Sequence, residues 1–169
     1  HIENVYKTYN KMLTGTDNLR LSCLDRKRVI INFMENYIDK LVVILAGSVS
    51  DKEHVEKLNK FFRAKDIYTM NYYSSAHKNT KDVLNILEKY EKQDRNIIYV
   101  TVAGRSNALS GVVSCNTRYP VIGCPPFKDK MDMQVNIHST LQCPSKVPVM
   151  TILEPENVAL AVSKIFSLV

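Results

Sequence analysis

Residues 41–51, LVVILAGSVSD, contain the pattern that decides the fold: an apolar run, a polar turn and the start of a helix. The run of six apolar residues is typical of a strand that is buried on both faces of a sheet. Beyond the turn, Val55, Leu58, Phe61 and Phe62 recur at helical spacing. These residues predict a strand, a polar turn and an amphipathic helix in succession.

The same unit recurs along the chain. Residues 67–73 predict a second strand, followed by the turn SSAHK and a helix with apolar residues at helical spacing. Residues 97–102 predict a third strand, which ends in the turn AGRSN. Residues 121–122 and 147–152 predict two further strands. A last helix is predicted from Val158, Val162, Ile165, Phe166 and Val169, with Glu154 and Glu156 at or before its first turn.

Alternating strands and helices are typical of an α/β protein with a parallel sheet, helices on both faces and right-handed crossovers. Ligands in such folds bind beyond the carboxyl ends of the strands. Each of the three polar turns follows a strand. We therefore expect the turns to converge at one edge of the sheet and to form a small-molecule site.

Composition limits the classes of function. The chain has 169 residues, of which 45% are apolar, and no stretch approaches the roughly 18 apolar residues of a membrane span. Its formal charge of +6 comes from 23 basic and 17 acidic residues, which are interleaved along the chain, so neither nucleic acid nor membrane is predicted as a partner.

The cysteines indicate the compartment. Cys23, Cys115, Cys124 and Cys143 form no CxxC pair and have no zinc-like spacing, and no apolar signal segment begins the chain. These features predict reduced thiols, a cytoplasmic location and no metal site. Cys115 and Cys124 are interpreted as buried small hydrophobic residues.

Residues 1–40 differ from the rest of the chain. Helical spacing at Ile30, Phe33, Met34 and Tyr37 follows a segment rich in Asn and Thr. We expect residues 1–40 to be a helical connector or N-terminal extension, cut from a longer chain because no starting Met is present. Residues 41–169 are then the main domain.

The first turn, GSVSD, contains groups that suit a sugar phosphate. Gly47 permits a tight turn, Ser48 and Ser50 offer hydroxyl groups, and the N–H groups at the helix start favour an anion. Asp51 suits the vicinal hydroxyls of a ribose. The alternative is that Ser and Asp only cap the helix. The turn matches neither GxGxxG nor a P-loop, so no nucleoside triphosphate is predicted.

The second turn supplies a candidate acid or base. His77 can exchange a proton near neutral pH, and Lys78 adds a fixed positive charge for a phosphate or a developing carboxylate. Ser75 precedes them. A purely structural histidine is the alternative, and the position directly after a strand argues against it. No role is predicted for His1, His54 or His138.

The third turn supplies a cation among small residues. Arg105 suits a phosphate or carboxylate, Ser106 is predicted to be the N-cap of the next helix, and Gly104 permits close approach of a ligand. The alternative is a capped helix with a surface arginine. Pro125 and Pro126 predict an extended exit from the fourth strand.

Together GSVSD, SAHK, AGRSNALSGV and YPVIGCPP, in this order, resemble the phosphoribosylaminoimidazole carboxylase family of purine biosynthesis. SAHK followed by AGRSN resembles the animal-type class. The resemblance covers residues 41–169 and implies a three-layer α/β/α sandwich with a flavodoxin-like parallel sheet of order 2-1-3-4-5. It implies carboxylation of 5-aminoimidazole ribonucleotide (AIR) by carbon dioxide to the 4-carboxylate (CAIR), without ATP, biotin, metal or another cofactor.

The resemblance also implies roles for single residues. His77 is expected to be the general base at C4 of the imidazole, with Lys78 beside it. Phosphate binding is expected from Ser48, on the turn that Gly47 permits, and from Ser75 and Lys78 on the second turn, and ribose binding is expected from Asp51. The ring and carboxylate are expected to contact Ser50, Gly104, Arg105 and Ser106.

The family further implies a homo-octamer and, in animals, an upstream succinocarboxamide (SAICAR) synthetase domain. Asn79 and Ala108 stand where glycine is common in the family, and no Trp follows Pro126, which affects the expected loop geometry. Two alternatives remain: a mutase acting on N5-carboxyaminoimidazole ribonucleotide, and a non-catalytic module that binds a sugar phosphate.

Overall fold

The structure, a computed structural model, describes residues 39–169. The predicted connector therefore lies almost wholly outside the described residues. The strands are β1 (Lys40–Ala46), β2 (Tyr68–Tyr73), β3 (Asn96–Val102), β4 (Val121–Gly123) and β5 (Met150–Thr151). The α-helices are α1 (Lys52–Arg63), α2 (Thr80–Glu91), α3 (Ala108–Cys115), α4 (Lys130–Leu141) and α5 (Pro155–Phe166), and a 3₁₀ turn (Val49–Asp51) precedes α1.

Within the described residues, five strands form one sheet of order β2-β1-β3-β4-β5. Every adjacent pair is parallel, and Ile44 of β1 lies between Asn71 of β2 and Val100 of β3. The order confirms the predicted parallel topology. Because β1 and β3 occupy the interior, their consecutive apolar residues are buried on both faces, as the run LVVILA predicted.

Two apolar cores lie on opposite faces of the sheet. On one face, Val42 and Ile44 pack with residues of α1 and α5, including Phe62 and Val162. On the other face, Leu41, Val43 and Leu45 pack with residues of α2 and α3, including Leu87 and Val113. Successive residues of β1 therefore serve alternate cores, and the described residues form the predicted three-layer sandwich.

Helix α4 was not predicted, because its pattern is not amphipathic. Met131, Val135 and Leu141 are exposed, whereas Asn136 and Thr140 are buried. The residues that face the protein are polar and half of the exposed ones are apolar, so periodicity in hydrophobicity cannot identify the helix. Its start is instead marked by Asp129, which caps the helix by accepting a hydrogen bond from the N–H of Asp132.

The last strand is shorter than predicted. Residues 147–152 were expected to be extended, but β5 contains only Met150 and Thr151. Lys146 has a φ of 66°, and the N–H of Val147 donates to Pro144 in a turn. Pro148 has no N–H to donate to a neighbouring strand. Both features delay the strand by three residues.

Among residues 39–169, no helix has both the length and the low polarity that crossing a membrane requires.

Candidate active site

The three polar turns lie along one edge of the sheet, as predicted. The N–H of Gly47 donates to the carbonyl of Val102 at 2.8 Å, and the N–H of Ser74 donates to the carbonyl of Ala46 at 2.8 Å. These bonds extend the parallel ladder past the strand ends. They place the first turn (residues 47–51) between the second turn (residues 74–78) and the third (residues 103–107).

The first turn is a capping box. Oγ of Ser48 accepts the N–H of Ser50 at 3.2 Å, and Oδ2 of Asp51 accepts the N–H of Ser48 at 3.1 Å. The hydroxyl of Ser50 donates to Oγ of Ser48 at 2.9 Å. Two of the N–H groups expected to meet an anion, those of Ser50 and Asp51, are thus engaged within the turn. The hydroxyl groups remain the exposed polar groups of this turn.

Burial shifts the pKa of Asp51. Removal from water raises the pKa of its carboxyl group above 3.8, and the hydrogen bond from the N–H of Ser48 opposes that rise. A carboxylate that already accepts one backbone hydrogen bond retains other lone pairs for a ligand. The capping and ribose-binding interpretations of Asp51 are therefore compatible.

Beyond the bond from Ser74 to Ala46, the second turn is held by short-range bonds of its own. Oγ of Ser75 accepts the N–H of Lys78 at 3.3 Å, the carbonyl of Ser75 accepts the N–H of Asn79 at 2.8 Å, and the hydroxyl of Thr80 donates to the carbonyl of Ala76. The side chains of His77 and Lys78 are exposed. Within residues 39–169 the imidazole of His77 has neither a hydrogen-bond nor an ion-pair partner, so nothing described orients it.

The third turn is fastened by long-range bonds to α4. The N–H of Arg105 donates to Oδ1 of Asn136 at 2.6 Å, and the N–H of Asn107 donates to Oγ of Ser139 at 2.6 Å. The amide of Asn107 donates to Thr140 at 3.0 Å. Arg105 itself has a φ of 57°, a left-handed conformation that is uncommon for a residue other than glycine.

The predicted N-cap of α3 is wrong by one residue. Asn107, not Ser106, caps the helix, because Oδ1 of Asn107 accepts the N–H of Ser110 at 3.1 Å. Ser106 is exposed. Asn107 is favoured because its amide accepts from Ser110 while also donating to the hydroxyl of the same residue at 2.8 Å.

A cavity of about 540 Å³ lies beside the first and third turns. Its lining residues come from the first turn, α1, the third turn, the exit from β4 and α4: Ser50, Glu53, His54, Lys57, Gly104, Arg105, Pro126, Phe127, Lys128, Asp129, Asp132 and Asn136. The second turn does not line it. Of the predicted site residues, Ser50, Gly104 and Arg105 share this cavity, whereas His77 and Lys78 follow β2, on the other side of the first turn.

His54 is a cavity residue to which no role was predicted. Its Nε2 lies 3.2 Å from Sγ of Cys124, and that sulfur is also 3.5 Å from the carbonyl oxygen of Leu153. Burial and the charge of Lys57 lower the pKa of His54 below 6.5, and burial raises the pKa of Cys124 to about 12. A neutral imidazole beside a protonated thiol is not an activated nucleophile.

The four-residue spacing between Ser50 and His54 could have identified His54 as a site residue from the sequence. It follows Ser50 by four residues, which places the two side chains on neighbouring turns of one helical segment. Asn136 and Thr140 have the same spacing on α4. The prediction for the cysteines is correct for Cys124, which is buried, and wrong for Cys115, which is exposed near the end of α3.

Comparisons with known proteins agree with this arrangement. The chain is 47% identical over 126 residues to phosphoribosylaminoimidazole carboxylase of Archaeoglobus fulgidus, covering 75% of this chain and 68% of that protein. It is 46% identical over 130 residues to the bifunctional phosphoribosylaminoimidazole carboxylase/phosphoribosylaminoimidazole succinocarboxamide synthetase of Drosophila melanogaster, covering 77% of this chain but only 30% of that protein.

A solved structure supports the same assignment. The crystal structure of Treponema denticola PurE superposes with a TM-score of 0.73 at 42% identity, covering 76% of this chain and 81% of that one. The model of the AIR carboxylase family matches residues 41–169, which contain all three polar turns. The flavodoxin-like sheet, the motifs at its carboxyl edge and these matches lead to one conclusion: the chain belongs to the AIR carboxylase family.

Proposed function

We propose that this protein is a phosphoribosylaminoimidazole carboxylase of de novo purine biosynthesis, which converts AIR and carbon dioxide to CAIR. One observation carries the proposal: the turns GSVSD, SAHK and AGRSN lie together at the carboxyl edge of the sheet, in a chain that matches the AIR carboxylase family. Ligands of parallel α/β sheets bind at that edge. The net charge of +6 suits an anionic substrate and product.

The chemistry requires little beyond positioning and one proton transfer. The ring of AIR resembles an enamine, so C4 is nucleophilic and attacks the carbon of carbon dioxide once the two are held together. A C–C bond forms, and C4 then carries both a hydrogen and a carboxylate. A base removes that proton and restores aromaticity. The electron balance closes without ATP, biotin or a metal.

His77 is the proposed base, and its conjugate acid returns the proton to C4 in the reverse direction. Lys78 lies next to it and, with Ser48 and Ser75, is proposed to bind the phosphate. The exposed hydroxyls of the first turn support phosphate binding, and Asp51 is proposed to accept the ribose hydroxyls. Gly47 lets this turn continue directly from β1.

The cavity is proposed to receive the new carboxylate and the adjoining edge of the ring, and His77, which does not line the cavity, has to reach C4 from outside it. Ser50, Gly104 and Arg105 line it, and Ser106 lies next to them in the third turn. A guanidinium group can bind a carboxylate with two parallel hydrogen bonds. Arg105 therefore provides the cation that the product requires.

Proton transfer is more efficient where water is excluded, so we expect the exposed imidazole of His77 to be covered in the active enzyme. We assign that cover to other subunits of a homo-octamer, the assembly that family resemblance implies. A cytoplasmic location and a SAICAR synthetase domain upstream are part of the same proposal. The synthetase is supported by the bifunctional proteins of fly and mouse, of which this chain spans 30%.

A two-substrate assay tests the reaction. The purified chain is given AIR and bicarbonate without ATP, and CAIR is measured; N5-carboxyaminoimidazole ribonucleotide replaces AIR in a parallel reaction. Product from AIR is expected. Product from the N5-carboxylated substrate alone would establish the mutase, and the absence of product from both would favour the sugar-phosphate-binding module.

A further inference from the structure

The side chain of Asn136 joins three parts of the site. It is buried, with 3% of its surface exposed. Its Oδ1 accepts the N–H of Arg105 at 2.6 Å, and its Nδ2 donates to the carbonyl of Pro126 at 2.7 Å. The amide also lies against Gly104, where an added Cβ would be 3.1 Å from Nδ2. One side chain thus fixes the third turn relative to the exit from β4.

The bond to Arg105 acts on a strained position. Its φ of 57° is unfavourable for a residue with a Cβ, and such a conformation persists only where the surroundings maintain it. The N–H that Asn136 binds belongs to the peptide unit immediately before this dihedral angle. The hydrogen bond therefore constrains the direction in which the side chain of Arg105 leaves the backbone.

We propose that Asn136 is a positioning residue for the carboxylation, which it serves by holding Arg105 so that the guanidinium group faces the carboxylate of CAIR in the cavity. This inference rests on the proposed function. Arg105 and Asn136 both line the cavity. Asn136 acts through Arg105 and is not expected to contact the reacting atoms.

A residue of the same helix separates positioning from general support of the fold. Thr140 is buried, accepts from the amide of Asn107 and donates to the carbonyl of Asn136. It contacts the same turn network but neither binds Arg105 nor lines the cavity. Thr140→Val is therefore the matched control, since it should lower the melting temperature without weakening CAIR binding.

The test is a double-mutant cycle on the full chain. Binding of CAIR is measured by calorimetry, and the KM and kcat for its decarboxylation are measured in parallel. Asn136→Ala and Arg105→Ala are each expected to raise the Kd and KM by about tenfold, the scale of one lost hydrogen bond to a charged group. Because Asn136 acts through Arg105, the double variant should be no weaker than Arg105→Ala.

The proposal would be overturned if the fold-increases in Kd of the two single variants multiplied in the double variant. It would also be overturned if Asn136→Ala had a lower melting temperature but bound CAIR with the affinity of the wild type. If Asn136→Ala does not fold, Asn136→Ser keeps a hydroxyl in the same space and is expected to raise the KM in the same way. A wild type that binds CAIR without converting it would refute the proposed reaction alone. A wild type that does neither would refute both.

Discussion

The second and third turns flank the first turn on the same edge of the sheet, but the fold holds them by different means. In the second turn His77 and Lys78 are exposed, and beyond the ladder bond from Ser74 to Ala46 the turn depends on bonds between residues a few positions apart. The third turn, with Arg105, is bound by α4 through bonds that span more than 30 residues of sequence. Loss of tertiary packing would therefore disturb the third turn first.

This difference separates two tasks of a carboxylase. A carboxylate has to be bound in a fixed geometry, which favours a turn that is locked by buried contacts. A proton carrier has to reach the substrate and release the proton afterwards, which an exposed imidazole can do once a ligand or another subunit covers it. Substitutions in the second turn should thus reduce the rate, and those behind the third turn should reduce stability.

The largest effect is expected at the second turn. His77→Asn should reduce carboxylation by at least about 100-fold, because it removes the proposed general base. The melting temperature should not change, since the side chain is exposed and has no described partner. His138→Asn is the matched control, an exposed histidine on α4 that does not line the cavity. Wild-type rates in His77→Asn would eliminate this residue as the base.

An intermediate effect is expected behind the third turn. Thr140→Val should lower the free energy of unfolding by about 1–2 kcal/mol, because the buried carbonyl of Asn136 and the amide of Asn107 lose a partner. Thr80→Ala, at the start of α2, removes the hydroxyl that donates to the carbonyl of Ala76 in the second turn, and because Thr80 is an exposed residue the loss should be less than about 0.5 kcal/mol. Urea denaturation measures both. Equal losses would mean that the two turns are held with similar strength.

The smallest expected effect is the contribution of His54 to the loss of stability at low pH. Because burial lowers the pKa of His54 below 6.5, the unfolded chain binds a proton on this residue at a pH where the folded chain does not. Stability should then decline as the pH falls from 7 through the unfolded pKa. In His54→Gln this decline should be shallower, by less than about 1 kcal/mol at pH 5. Parallel stability curves for both proteins would show that His54 does not titrate in this range.

Much of the fold was predictable because its signals are local. A strand buried on both faces is nearly continuously apolar, and residues 41–46 of β1 and, apart from Thr101, residues 97–102 of β3 have this pattern. Helix α4 was not predictable in this way. Its buried residues, among them Asn136 and Thr140, satisfy polar groups of a distant turn, so their burial depends on tertiary partners that no local pattern indicates.

The same distinction applies to the site: residues within local motifs were predictable, and residues that approach the motifs only in the folded chain were not. The turns were identified from their residue types and from the rule that parallel strands end at one edge. The roles of Gly47, Ser75 and the other proposed ligands of AIR stay predictions. The motifs did not identify the cavity residues His54 and Asn136. These residues lie on helices outside the turns and come close to them only in the folded chain.

The left-handed backbone of Arg105 has a consequence for how this domain tolerates change. Glycine adopts that conformation without the roughly 1–2 kcal/mol that a residue with a Cβ loses, a gain larger than the roughly 0.5–1 kcal/mol of extra chain entropy that glycine brings to the unfolded state. Selection for thermostability alone would thus favour glycine at position 105, and the guanidinium group would be lost. With Arg105 as the proposed ligand of the carboxylate, selection for growth without added purines would instead retain arginine at the cost of a less stable domain.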